Sequence, residues 1–70
     1  MKKQYHKYKI IIRLNPEDGY YGLIYHPNKE FLTSTLYRND EESALAQAKE
    51  IIDEIIFDEI IFQKKKLKKG

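Results

Sequence analysis

The chain has 70 residues, a formal net charge of +2 and no cysteine. This length accommodates one domain with a modest hydrophobic core and disfavours a large enzyme cleft, while the lack of cysteine excludes disulfides and thiolate metal sites. The basic residues 1–7 lead into no apolar segment long enough for a signal peptide or a membrane span, so we expect a single cytoplasmic domain over residues 1–70.

The first predicted element is a β-strand over residues 8–14, preceded by a basic tail at residues 1–7. The alternation typical of a strand with one buried face is carried by Tyr8, Ile10, Ile12 and Leu14. The next segment, residues 15–19, contains a proline and ends in glycine. It predicts a hairpin loop in which Gly19 takes a positive φ.

Two further strands are predicted over residues 20–26 and 31–37, with a turn at residues 27–30 between them. Both segments are rich in aromatic and β-branched residues, which favour strands, and Pro27 favours the turn. Together with the first strand they predict a three-stranded antiparallel meander.

A long C-terminal helix is predicted next, with Asn39 as the N-cap and Glu42 three positions later, which is the spacing of a capping box. At about 100° per residue, a set of apolar residues falls within an arc of about 140°, wide enough to cover one face of a sheet. This stripe consists of Ala44, Leu45, Ala48, Ile51, Ile52, Ile55 and Ile56.

The predicted fold is therefore α+β, in the order β-β-β-α, with the helix packed on one face of the sheet. The core and the helix extension are expected over residues 8–62, and a lysine-rich tail over residues 63–70. The sheet residues expected to meet the helix stripe are Tyr8, Ile10, Ile12, Leu14, Leu23 and Leu36.

The predicted helix ends in a tandem repeat, because residues 53–57 and residues 58–62 share the sequence Asp-Glu-Ile-Ile-Phe. Five residues turn a helix by about 500°, so the apolar residues of the two copies point about 140° apart. Phe57, Ile60 and Ile61 therefore fall outside the arc that faces the core. Either the helix continues and these residues form an interface, or it ends near the second copy and the tail folds back.

Charge is strongly segregated along the chain. Residues 1–14 carry five positive charges and no acid, residues 41–63 carry seven acids against one lysine, and residues 64–69 carry five lysines. An acidic helix with exposed apolar residues favours a protein partner. We also expect a homodimer, because a second copy of the chain is the simplest partner and twofold dimers are the commonest assembly. The predicted interface residues are Glu50, Asp53, Glu54, Phe57, Asp58, Ile60 and Ile61.

No catalytic, metal or cofactor site is predicted. His6 and His26 lack a second ligand at metal-binding spacing. Adjacent acids on a helix diverge by about 100° and do not converge on one atom, and the three glycines do not form a phosphate-binding loop. We therefore expect a protein that is not an enzyme.

The basic segments leave a second interpretation open, in which the protein binds nucleic acid. The tyrosines of the predicted strands, Tyr20, Tyr21, Tyr25 and Tyr37, would stack on bases, and lysines would contact phosphates. The alternative is that the basic terminal segments bind no ligand: they are hydrated, and their positive charge complements the negative charge of the acidic helix. The residues that would contact nucleic acid are Lys2, Lys3, Lys7, Lys9, Arg13, Lys64, Lys65, Lys66, Lys68 and Lys69.

Several segments of the chain resemble the small HicB-like antitoxin family, over about residues 8–57. The segments that carry the resemblance are residues 8–14, the acidic turn 17–19, the aromatic start 20–22 of the second strand, Pro27 and the helical run 44–52. The resemblance implies a β-β-β-α core, a truncated ribonuclease-H-like arrangement, that binds a small toxin resembling double-stranded-RNA-binding domains. Many members add a DNA-binding segment that represses their own operon.

The chain departs from the family pattern in three places, one of which is the differently spaced segment before the helix. The turn at residues 27–31 lacks the leucine and glycine that are usual there, and residues 62–70 show no helix-turn-helix or ribbon-helix-helix pattern. Repression by specific DNA binding is therefore not expected. The sequence predicts a protein-binding module. The most specific version of this prediction is an antitoxin-like protein that occludes a small basic RNA-acting partner. The alternatives are a small nucleic-acid-binding protein and a regulatory subunit of a larger assembly.

Overall fold

A computed structural model describes residues 1–68, with side chains described through Ile61. The elements in chain order are β1 (Lys2–Tyr5), β2 (Tyr8–Asn15), β3 (Gly19–Tyr25), β4 (Phe31–Ser34) and α1 (Glu41–Lys68). The strands form one antiparallel sheet in the order β1-β2-β3-β4, and α1 packs on one of its faces. The predicted α+β class is confirmed, with four strands where the sequence pattern predicted three.

The additional strand, β1, lies in the segment predicted to be a basic tail. It pairs with β2, with Lys2 opposite Ile11 and Tyr5 opposite Tyr8. The prediction of a tail over residues 1–7 is wrong because the backbone hydrogen bonds of a ladder do not require apolar side chains. Lysines are in fact common on edge strands, where they discourage pairing with other chains.

A two-residue loop, His6–Lys7, joins β1 to β2. Both residues have positive φ, 50° and 72°, the combination found in type I′ hairpin turns. Such turns prefer asparagine and glycine, and the left-handed backbone costs other residues about 1–2 kcal/mol each. The hairpin therefore holds a histidine and a lysine in a conformation that other residues would adopt more easily.

The core lies between α1 and the face of the sheet on which Ile10 pairs with Ile24 and Ile12 with Gly22. Its buried apolar residues are Tyr8, Ile10, Ile12, Ile24, Ala44, Ala48 and Ile52. The strand β2 and helix residues in this set were predicted from the alternation and from the helix stripe, and those predictions are confirmed.

Three predicted core residues lie elsewhere. Leu23 pairs with Ile11 on the opposite face of the sheet, and Leu14 and Leu36 are 57% and 71% exposed. The error at Leu23 has a physical reason, because two large apolar residues stand next to each other in β3 and either could face the core. Pairing with β2 selects Ile24, since its partner Ile10 is on the buried face.

Gly22 permits the close approach of α1 to the sheet. A Cβ atom at this position would lie 3.1 Å from Ile12 Cδ1 and 3.6 Å from Ala48 Cβ. The Gly22 amide donates a 2.8 Å hydrogen bond to Oγ1 of buried Thr35. The strand predicted over residues 31–37 is observed only over Phe31–Ser34. Beyond Ser34, the side chain of buried Thr35, and not a backbone carbonyl, accepts the hydrogen bond from the Gly22 amide of β3.

The helix N-cap is Asp40 and not the predicted Asn39. Asp40 Oδ1 accepts a 2.7 Å hydrogen bond from the amide of Ser43, and α1 begins one residue later at Glu41. Both candidates are good capping residues, so sequence preference alone could not distinguish them. The predicted capping box between Asn39 and Glu42 is therefore wrong by one position.

We expect the cap to make stability depend on pH in the acidic range. Hydrogen bonding from Ser43 lowers the pKa of Asp40. A carboxyl with a depressed pKa contributes stability that is full above its unfolded pKa of about 3.9 and is lost as pH falls through the folded pKa. Asp40→Asn should keep the cap and flatten this dependence, which urea unfolding at pH 2–5 would measure. An unchanged slope in the variant would contradict the assignment.

The helix continues through both copies of the repeat, so the alternative of a fold-back near Asp58 is wrong. Ile55 and Ile56 still pack against the core, whereas every described side chain from Phe57 onward is exposed. We call residues 57–68 the projecting segment. It accounts for a radius of gyration of 14.3 Å, compared with about 11 Å expected for a compact chain of this length.

Candidate binding surfaces

The first candidate surface lies on α1, at and beyond the point where the helix leaves the sheet. We call it the helix surface, and its residues are Glu50, Asp53, Glu54, Phe57, Asp58, Ile60 and Ile61. All are exposed, and the apolar side chains of Phe57, Ile60 and Ile61 are 61%, 47% and 36% exposed. The residues predicted from the sequence as an interface are thus brought together on one element.

The helix surface points away from the core. At about 100° per residue, Phe57 lies roughly opposite the centre of the buried stripe, and Ile61 lies one turn further along the same side. Glu54 lies three positions before Phe57 and is its neighbour on the helix, and Glu50 lies seven positions before Phe57, two turns away on the same side. Asp58 points about 100° from Phe57 and lies at the margin.

Asp53 differs from the other acids because it is engaged within the protein. Its Oδ1 accepts a 2.8 Å hydrogen bond from the hydroxyl of Tyr5, and Lys49 Nζ lies 5.5 Å from the centre of the same ring. This contact ties β1 to α1 just before the projecting segment. Asp53 is therefore a structural contact as well as a predicted partner contact, which sequence spacing did not indicate.

The hydrogen bond to Asp53 raises the pKa of the Tyr5 hydroxyl, with desolvation and the nearby negative charge as further causes. A raised pKa favours the neutral phenol in the folded protein. The contact therefore contributes fully below the unfolded tyrosine pKa of about 10 and is lost as pH rises through the folded pKa.

The second candidate surface is the face of the sheet opposite α1, which we call the open face. Strand alternation places on it the residues that flank the buried positions. They are Lys2, Gln4, Lys9, Ile11, Arg13, Tyr21, Leu23, Tyr25, Phe31 and Ser34. No described element packs on this face.

Aromatic side chains form two edge-to-face pairs on the open face. Tyr25 packs against Phe31 with ring centres 5.6 Å apart, and Tyr21 packs against Tyr37 at 5.4 Å. Phe31 and Tyr37 remain 56% and 51% exposed. The sequence indicated these tyrosines as candidates, but only the strand register shows that they share a face.

A basic cavity adjoins the open face at the end of the sheet where α1 leaves it. It has a volume of about 380 Å³. Its lining contains five lysines and one histidine and no acid: Lys2, Lys3, Gln4, Lys7, Lys9, His26, Pro27 and Lys29. We call it the lysine cavity. Four of the residues predicted to contact nucleic acid, Lys2, Lys3, Lys7 and Lys9, line this cavity together with Lys29, which was not predicted from the sequence.

The remaining predicted basic residues are not part of this cluster. Arg13 lies on the open face, opposite Tyr21 in the neighbouring strand. Lys64, Lys65, Lys66 and Lys68 belong to α1, but their side chains, like Lys69 as a whole, lie outside the described part of the chain.

Other kinds of site are not supported by the described residues. No group of three or more His, Cys, Asp or Glu side chains among them is placed to hold a metal ion. No helix within the described range has both the length and the apolar character needed to cross a membrane.

Comparison with known proteins yields no matching family model, curated protein or solved structure. The similarity to HicB-like antitoxins therefore rests on the residues quoted above and remains a prediction. The function is inferred from the geometry and charge of the two surfaces.

Proposed function

We propose that this protein is a cytoplasmic, non-enzymatic binding module that engages a basic protein partner through the helix surface. The most specific version of this proposal, suggested by the resemblance to HicB-like antitoxins, is that the partner is a small RNA-acting toxin. Binding would cover the surface by which that partner contacts RNA.

The observation that carries the proposal is the exposure of Phe57, Ile60 and Ile61 on a helix that has left its own sheet. Single exposed apolar residues are common, but a cluster of large ones bordered by polar residues usually marks an interaction site. The core is already complete without them, since Ile52 is fully buried and Ile55 closes its end. Their burial would thus have to come from another molecule.

The charge of the helix surface favours a basic partner. Residues 50–61 contain five acids and no basic residue. Opposite charge on a partner would accelerate encounter, and the apolar side chains would then slow dissociation. Acids beside exposed apolar side chains are also suited to occluding a surface that binds the negatively charged backbone of RNA.

Two related assemblies would use the same surface. A homodimer would bury Phe57 and Ile61 against a second copy, and a larger complex would use this protein as a regulatory subunit. The acids on the helix surface would face each other in a symmetric dimer, which makes a basic partner the better match.

The proposal is tested by tagged pull-down after nuclease treatment, using the full chain and two double variants. Phe57→Ser/Ile61→Ser removes apolar contact from the helix surface, whereas Leu14→Ser/Leu36→Ser removes two exposed apolar residues elsewhere. A basic protein retained by wild type and by the control but lost from the first variant is the expected result. Retention by both variants would refute the helix surface as the binding site.

Self-association is measured on the same purified proteins by sedimentation equilibrium. A monomer at micromolar concentration would leave the helix surface free for a basic partner. A dimer that is abolished by Phe57→Ser/Ile61→Ser would replace the basic partner by a second copy of the chain.

We also expect charge reversal to slow partner binding. Glu50→Lys/Glu54→Lys should lower the association rate about tenfold or more at low salt, because both residues contribute to electrostatic steering. The difference should shrink at high salt, where exposed charges are screened. Glu17→Lys/Asp18→Lys, in the loop between β2 and β3, is the control with the same change in net charge. Equal rates for the two variants would argue against steering by the helix surface.

A further inference from the structure

We propose that the open face binds single-stranded nucleic acid, with Phe31 and Tyr37 stacking on bases and the lysine cavity holding phosphate groups. This site is on the opposite layer from the helix surface. It is independent of the protein partner proposed above.

The strand register places a cation beside each aromatic pair. Lys9 lies directly opposite Tyr25, and Arg13 lies directly opposite Tyr21. Side chains in such positions have Cβ atoms about 5 Å apart, so each aromatic platform has a positive charge at its border. Stacking on aromatic rings together with contacts from cations to the backbone is the usual way in which proteins bind single strands without reading sequence.

The two platforms have a spacing that suits an extended strand of nucleic acid. Tyr21 and Tyr25 are four residues apart in β3, or about 13 Å along the strand. Ile11 and Leu23 fill the row between them and are half-buried. The face is thus a continuous apolar and aromatic strip with basic residues along β1 and β2, and none of its strand residues is acidic.

The lysine cavity provides the phosphate-binding part of the site. Lys9 lines the cavity and also borders the Tyr25 platform, so the two features are contiguous. Five lysines and no acid line this space of about 380 Å³, so its electrostatic potential favours an anion. A nucleic-acid strand crossing the open face would bring its phosphates to this place.

Backbone conformation gives a second indication. Lys7 and Lys29 line the cavity, and both have positive φ, 72° and 76°. Residues other than glycine rarely adopt this conformation, and such positions concentrate at functional sites. Two lysines at positions that favour glycine or asparagine suggest that their charge, and not turn stability, is what these loops provide.

A duplex is a poorer match than a single strand. The faces of the bases are covered in a duplex, so the aromatic platforms would find nothing to stack on. An acidic protein would match the charge but would not use the exposed rings in this way. Single-stranded nucleic acid is the ligand class that uses both features.

Fluorescence anisotropy with labelled oligo(U) and oligo(dT), and with a duplex of the same length, tests the proposal on the full chain. We expect binding to both single strands and at least tenfold weaker binding to the duplex. Phe31→Ala and Tyr37→Ala should each weaken single-strand binding about tenfold, the effect of losing one stacked base. Phe57→Ala, which removes an exposed aromatic side chain on α1, should have no effect.

Lys7→Gly tests the lysine cavity without endangering the fold, because glycine accepts the positive φ at this position. Its unfolding midpoint should be equal to that of wild type or higher, while its affinity for the single strand falls. The slope of log K against log salt should decrease in magnitude by about 0.7, the value for one phosphate contact on a single strand. Lys49→Gln, which removes one charge on α1, should leave the slope unchanged.

Three binding results would overturn the proposal, in addition to the self-association result given below: no binding to either single strand, equal binding to duplex and single strand with no effect of Phe31→Ala, or an equal loss from Lys7→Gly and Lys49→Gln. The last two would show attraction by net charge without a site. The proposal would also be overturned if the wild-type chain self-associated and Phe31→Ala abolished that self-association, because the open face would then be a protein interface. Loss of the partner through Phe57→Ser/Ile61→Ser would not affect this test.

Discussion

Ile52→Ala is expected to lower the free energy of unfolding by about 3–4 kcal/mol, because Ile52 is fully buried between the helix and the sheet. It packs in the same cluster as Ile10 and Ile24, which are also fully buried. A chain of this length has a total stability of about 4–10 kcal/mol, so the substitution removes between about a third and all of it. Urea unfolding followed by far-UV circular dichroism measures the effect.

Ile61→Ala is the matched control, because it makes the same chemical change on the same helix at an exposed position. We expect it to change the free energy of unfolding by less than about 0.5 kcal/mol. Similar losses from both variants would mean that the projecting segment is packed within the protein, and the helix surface would then not be available to a partner.

Gly19→Ala is expected to lower the free energy of unfolding by about 2–3 kcal/mol. The φ of Gly19 is 111°, a conformation that alanine rarely adopts, and an added Cβ would collide with the carbonyl oxygen of Arg38. That oxygen accepts a 2.8 Å hydrogen bond from the amide of Tyr20, so it cannot retreat without breaking the pairing. Thermal unfolding should show a large fall in midpoint.

The control for Gly19 is Gly22→Ala. A Cβ at Gly22 would lie 3.1 Å from Ile12 Cδ1 and 3.3 Å from Thr35 Cγ2, which are side-chain and not backbone atoms, and this glycine does not have a positive φ. We expect a loss of about 1–2 kcal/mol, the cost of overpacking a core by one methyl group. A larger loss of stability from Gly22→Ala than from Gly19→Ala would mean that the close approach of α1 to the sheet limits this fold more than the conformation of the loop before β3 does.

The two proposed sites give the molecule opposite faces of opposite charge. The acidic helix surface is on one layer, and the basic open face and lysine cavity are on the other. A net charge of +2 conceals this arrangement, because the two populations nearly cancel. Ligands of opposite charge could therefore bind without competing for the same residues.

The sequence by itself determined the elements that rest on local patterns. The alternation from Tyr8 to Ile12, the positive φ of Gly19 and the helix stripe from Ala44 to Ile56 all follow from the period of the backbone and from side-chain size. The repeat in the helix also located the exposed residues Phe57 and Ile61, because a five-residue period cannot keep one face of an α-helix.

Only the tertiary structure decided the features that depend on pairing between distant segments. Lys2–Tyr5 is a strand because β2 offers it a free edge, and Ile24 rather than Leu23 is buried because Ile10 is its partner. The lysine cavity likewise assembles loops that are far apart in sequence. A local pattern records which side chains a segment carries, but strand register and chain proximity arise from backbone hydrogen bonds that no single segment specifies.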